Sequence, residues 1–226
     1  PVRGDGPAQE LLMPRFARYQ LLVHLAALVP LAWLVYDALA GNLSVNPIQD
    51  IEQRTGRYAM MLLTASLSCT PLHILSGWPP LLRWRRPLGL YAFGYALLHF
   101  LTFIGLDYGF DPALLWADVA GKRYIFVGAA ALLILLLLAA TSTDDAKRRL
   151  GKAWKRLHRW AYAAGVLVIA HYIWAAKTDA QALAWGAVIA VGFVLRLPPV
   201  RRAFVRLRGQ RRAEAGAKRR TAGGPV

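Results

Sequence analysis

The chain has 226 residues, 57% of them hydrophobic, with mean hydropathy +0.35 and a formal net charge of +16. This is too apolar for an ordinary soluble domain, and the apolar residues come in blocks, so the composition indicates an integral membrane protein. The basic residues sit in short segments between those blocks, which argues against a soluble nucleic-acid-binding face and for membrane topology.

In chain order, the N-terminal PVRGDGPAQELLMP lacks the charged-then-apolar pattern of a signal peptide and is expected to remain uncleaved. The first apolar run is Tyr19 to Leu39, with Pro30 inside it as a kink that neighbouring helices accommodate. GNLSVNPIQDIEQRTGR, rich in turn residues and charges, reads as a loop. The second run, Tyr58 to Leu75, is expected to bend or end at Pro71. SGWPPLLRWRRP reads as a second loop, with Trp78 and Trp84 at headgroup level. Leu88 to Leu106 is the third run, and DYGFDPALLWADVAGKR is a loop whose LLW suits the interface.

Tyr124 to Ala140 is the fourth run and the most purely apolar. In the basic connection after it, Thr143 followed by Asp144 and Asp145 predicts a helix start. The fifth span is read as one helix, Trp154 to Trp174, and the sixth as Ala182 to Leu197, stopped by Pro198 and Pro199. The expected organisation is a cytoplasmic segment (1–18), an all-α six-span bundle (19–206) and a basic, disordered tail (207–226). Of the 28 Lys and Arg, all but Arg54, Arg57, Lys122, Arg123 and Lys177 fall on one side of this topology, so both termini are expected to be cytoplasmic. Cys69, the single cysteine, lies in an apolar run and is expected to pack as a small hydrophobe.

This topology sets the depth of each histidine. His99 lies thirteen residues past Arg86 on an outward-running span, and His171 lies deep on another, so both fall in the outer half of the bilayer. His158 precedes His171 by thirteen residues, about 20 Å along a helix, and belongs near the cytoplasmic face with His24 and His73. On a continuous helix, thirteen residues would also leave His158 and His171 about 140° apart in azimuth.

Two imidazoles at one depth on different helices suit a low-spin b-type haem, with one axial nitrogen on each side of the iron. Ala92, Ala96, Ala164 and Gly165 supply small residues near a flat macrocycle. An inner haem stacked below would involve His158. The plainer reading of each histidine is a hydrogen bond to a neighbouring helix, and it weighs most for His24 and His73. Zinc fits less well, because carboxylates and cysteines are missing at histidine depth. Arginines such as Arg83, Arg85, Arg86, Arg148, Arg149 and Arg156 are explained by topology, or else reach haem propionates or a flavin phosphate.

GRYAMMLLTASLSCTPL, RRPLGLYAFGYALLH, LAATS, RRLGKAWKRLHRWAY and HYIW, in this order, resemble the ferric-reductase-like transmembrane family. Within it they resemble the haem subunits of bacterial methionine sulfoxide reductase systems, over residues 20–206. The resemblance implies six helices, one or two b-type haems and no nucleotide-binding domain of the chain's own. It implies a bacterial inner-membrane subunit that takes electrons from the quinol pool or a cytosolic flavin reductase. These would pass to a periplasmic molybdenum-containing reductase that repairs oxidised methionine.

Carried over by resemblance, the haem ligands are His99, His158 and His171, with His24 a candidate inner partner. FMN is a further cofactor associated with the family. Related oxidases carry a second histidine on span three where this chain has Arg85 or Arg86, so His24, His73, water or nothing stand open as the second inner ligand. The alternative is a cytochrome b561-like or ferric-reductase-like transmembrane reductase with another donor and acceptor. A transporter or structural subunit, its histidines in helix contacts, is the reading from another class.

Overall fold

The computed structural model describes residues 15–176 and 180–222, and among them every regular element is helical. Helix α1 spans Arg15–Leu39 and runs through Pro30. Helix α2 spans Pro47–Ser76 and starts well before its apolar part, so most of the expected first loop is helical. The cause is local: the Asn46 side chain accepts from the Gln49 N–H, Pro47 takes the first helical position, and Asp50 faces the positive end of the helix dipole. Pro71 does not end α2, which closes instead at Gly77. There a φ of 71° lets the Gly77 N–H reach the His73 carbonyl.

Helix α3 (Pro80–Thr102) likewise begins inside the expected second loop and unwinds into a π-turn at Phe103–Asp107. A short α4 (Pro112–Val119), capped by Asp111, occupies the third loop and contains the LLW segment. Helix α5 is Arg123–Ala140. The predicted start at Thr143 is present: its hydroxyl accepts from the Ala146 N–H and opens α6 (Asp144–Leu150), with α7 (Lys152–Leu157) following.

The expected fifth span is broken. Helix α7 ends at Leu157, and α8 (Trp160–Ala176) begins after a turn at His158 and Arg159. Bonds from Arg159 N to Arg156 O and from Tyr162 N to Arg159 O tighten the chain to three-residue spacing there. The azimuth expected for an unbroken helix between His158 and His171 therefore does not apply. Helix α9 (Ala180–Val194) is followed by α10 (Pro198–Ala222), and the segments Leu183–Val194 and Pro198–Gln210 meet at a bend of 77°. The tail expected to be disordered from 207 thus continues as helix through Ala222, its Arg, Ala, Lys and Glu being good helix formers.

Segments Tyr19–Leu39, Pro47–Ser76, Pro80–Asp107 and Arg123–Ala140 are each long and apolar enough to cross a membrane. Leucines such as Leu133, Leu136 and Leu137 on α5 are exposed on the protein surface, as befits lipid-facing positions in a multi-pass membrane protein.

Helix α2 is central, packing against α1, α3, α8, α9 and α10, while α5 pairs with α8. The core joins Leu63 and Leu67 of α2, Ala92 of α3, Leu135 of α5, Ala164 of α8 and Ile189 of α9. Apolar surface gains little by leaving lipid, so small residues that let helices approach closely matter most. Ala92 and Ala164, both 0% exposed, mark those approaches. At the start of α2, Arg54 donates to Asp37 of α1 at 2.5 Å and bonds Asp50 through Nε and Nη2 at 2.8 and 2.9 Å, tying the two helices.

Candidate functional site

Helices α2 and α3 form one antiparallel pair, α5 and α8 another, and each places a histidine near the end of its second helix. The pairs meet so that the rings of His99 and His171 lie 6.2 Å apart between centroids, at 75° to one another. That separation is close to the ~6.3 Å expected of two imidazoles sharing one metal through bonds of about 2 Å.

Each ring is fixed by its other nitrogen. His99 Nδ1 lies 2.9 Å from the Glu52 carbonyl and His171 Nδ1 2.7 Å from the Tyr124 carbonyl. A carbonyl only accepts, so both Nδ1 atoms carry the proton and both Nε2 lone pairs are left for a metal. A bond of this kind sets the tautomer and orientation of a histidine that holds a metal.

Beneath each ring lies a glycine. A methyl at Gly56 would meet His99 Nδ1 at 3.1 Å, and one at Gly128 would meet His171 Nδ1 at 2.7 Å. In each case the glycine is one turn beyond the residue whose carbonyl holds the ring: Gly56 after Glu52, Gly128 after Tyr124. Both carbonyls are 47 residues before their histidine. The two halves are in register throughout: adding 72 carries Gly56, Ala59, Leu63, Ala92 and His99 onto Gly128, Ala131, Leu135, Ala164 and His171. The alanines and leucines among them are buried in both halves.

Sequence reasoning found the histidines and the small residues but missed Glu52, Tyr124, Gly56 and Gly128. Aligning the chain with itself at that offset would have exposed the glycines.

The donor set fits haem. Among the described residues no group of three or more His, Cys, Asp or Glu side chains could hold a metal ion. His99 and His171 would therefore hold a metal whose remaining ligands come from a macrocycle.

The other histidines fall elsewhere. His158 stacks on Trp154, centroids 3.9 Å apart, and its Nδ1 lies 3.1 Å from the Trp154 carbonyl. Its Nε2 is buried without a hydrogen-bond partner. His24 sits on an exposed face of α1 with Nδ1 3.1 Å from the Tyr91 hydroxyl, and His73 Nδ1 lies 2.9 Å from the Trp78 carbonyl. Neither makes a hydrogen bond or a ring contact with His158 among the described residues. Cys69 is buried, its thiol donating to the Ala65 carbonyl at 3.3 Å.

Close to the paired histidines, Asp118 of α4 takes hydrogen bonds from the Tyr108 hydroxyl and from Lys122 Nζ. The carboxylate holds the Tyr108 proton and pushes the phenol up to about 12. Lys122 holds Asp118 below its ordinary range. The cluster pins the π-turn to the start of α5, the helix that carries Tyr124 and Gly128.

Two imidazoles paired between apolar helices define a multi-pass membrane protein built around a two-histidine centre. The family model described as ferric reductase like transmembrane component matches residues 55–169, a stretch that contains His99 and His158 and ends two residues before His171. The chain is 43% identical to the protein-methionine-sulfoxide reductase heme-binding subunit MsrQ of Rhodospirillum rubrum, over 81% of this chain and 89% of the relative. It is 40% identical to that of Bordetella pertussis (82% and 91%) and 42% identical to that of Ralstonia nicotianae (83% and 88%). The chain belongs to the ferric-reductase-like transmembrane family and, within it, to the MsrQ subunits.

Proposed function

We propose that this chain is a bacterial inner-membrane electron-transfer subunit carrying b-type haem, with six crossings and both termini cytoplasmic. The observation that carries the reading is the His99–His171 pair: two rings 6.2 Å apart, each with Nδ1 held by a backbone carbonyl. Bound between them, haem supplies reversible one-electron chemistry. The chain's own work is to fix both imidazoles in one tautomer and to surround them with apolar helix faces that exclude water. The rigid seats reduce the rearrangement that accompanies a change in charge.

His158, with a buried and unpartnered Nε2, is the ligand for a second, inner haem or for the edge of another cofactor such as FMN. Electrons enter from the quinol pool or a cytosolic flavin reductase. They leave to a periplasmic molybdenum-containing methionine sulfoxide reductase that docks on the face bearing α4 and the π-turn. Support for this system comes from relatives named as heme-binding subunits of a methionine-sulfoxide reductase.

A pyridine haemochrome assay on purified protein tests the core of the reading. Haem is expected in the wild type, with the outer b-type absorbance lost in His99→Ala and His171→Ala. Full haem content in both variants would overturn it.

A further inference from the structure

We propose that Arg196, with Arg85 and His158, forms an oxyanion-binding site toward the opposite end of the bundle from the His99–His171 pair. It takes the carboxylate or phosphate arm of a cofactor seated at His158. The site rests on the reading of His158 as a cofactor ligand, and it is independent of donor and acceptor.

Four buried side-chain polar atoms lack a hydrogen-bond partner among the described residues, and three of them belong to His158 and Arg196. Buried polar groups are normally paired, so their coincidence marks a place for a ligand. Arg196 stands at the bend between α9 and α10 and reaches back into the bundle. Its Nη2 donates to the Leu67 carbonyl, its Cζ lies 4.8 Å above the ring of Tyr162, and Nε and Nη1 are left bare. Tyr162 is four residues beyond His158. Arg85, on the first turns of α3, is near enough for its charge to act on both His158 and Arg196, and its Nη1 donates to the Thr70 hydroxyl at 3.3 Å.

The charge balance identifies the ligand class. Arg196 sits over Tyr162, one turn beyond His158, Arg85 adds a second positive charge nearby, and neither arginine forms an ion pair with a carboxylate among the described residues. Water would satisfy N–H groups but not the charge. A planar guanidinium with two free donors matches the two oxygens of a carboxylate or phosphate. Two sources present that chemistry on a cofactor near a free imidazole nitrogen: a haem propionate and a flavin phosphate. Sequence reasoning considered basic-loop arginines for this role but not Arg196, which lies at the end of an apolar span.

The test compares purified wild type with Arg196→Gln, Arg196→Lys and Arg85→Gln. Haem per chain is measured by pyridine haemochrome, FMN per chain by fluorescence of an acid extract, and midpoint potentials by redox titration. Arg196→Gln should lower one cofactor severalfold while the haem of the His99–His171 pair remains, and Arg196→Lys should retain more of it. A fall of about one haem per chain assigns the arm to a propionate. A fall in FMN at constant haem assigns it to the phosphate.

Wild-type haem, FMN and potentials in both Gln variants would overturn the site. So would equal loss of the outer haem in every variant, which would assign Arg196 to folding. A wild type without haem would refute the proposed function, and the FMN measurement would still decide this inference.

Discussion

Gly56 and Gly128 occupy equivalent places, each on the helix turn beneath the imidazole of one member of the histidine pair. The carbonyl one turn earlier, from Glu52 or Tyr124, accepts a hydrogen bond from Nδ1 of that ring. One histidine seat is thus built twice, 72 residues apart, and the two seats face each other across the bundle.

Replacing either glycine by alanine should displace the ring above it. The added methyl at Gly128 would lie 2.7 Å from His171 Nδ1 and that at Gly56 3.1 Å from His99 Nδ1, so Gly128→Ala is expected to do more damage. Disturbing a partner that orients a metal ligand weakens cofactor binding by about 10–100-fold. Haem retention on dilution, with the low-temperature spectrum of the remaining haem, measures this.

Arg54 joins Asp37 and Asp50 at the ends of α1 and α2, with its side chain 26% exposed and that of Asp37 11%. Removal of one partner from a buried pair costs about 3–5 kcal/mol, and partial exposure here reduces the expected loss to about 1–3 kcal/mol for Arg54→Leu. Cys69, buried and alone, provides the readout. A thiol-reactive dye should label it at a lower temperature in the variant than in the wild type.

Tyr108 holds its proton against Asp118, which pushes the phenol up to about 12. A folded value above the ordinary ~10 means the bond's contribution is fully present below pH ~10 and is lost as pH rises toward about 12. Absorbance titration of the phenols up to pH 11 should find one more ionising group in Asp118→Asn than in the wild type. Equal titration of the two proteins would show that the bond is not formed in solution.

His158 should be separable from the outer pair. His158→Ala is expected to leave the haem held by His99 and His171 in place and to abolish whatever cofactor the Arg196 site anchors, as read by haem and FMN per chain. Loss of all haem in this variant would join the two sites into one.

The sequence by itself determined which segments are apolar, that Thr143 begins a helix, and that His99 and His171 lie at one depth. Depth is rise per residue multiplied by a count, so it is a local property of each helix. Where helices begin was less legible: Asn46 and Pro47 start α2 inside a stretch whose charges read as loop, because capping outweighs polarity at a helix end.

Only the tertiary structure decided what surrounds those histidines. Every residue carries the same backbone carbonyl, so composition cannot tell which one meets an imidazole 47 residues away. The turn at His158 and the approach of Arg196 to Tyr162 likewise depend on how α2, α8 and α9 pack. Azimuth and partner are properties of helices in contact, and they exist only once the bundle has formed.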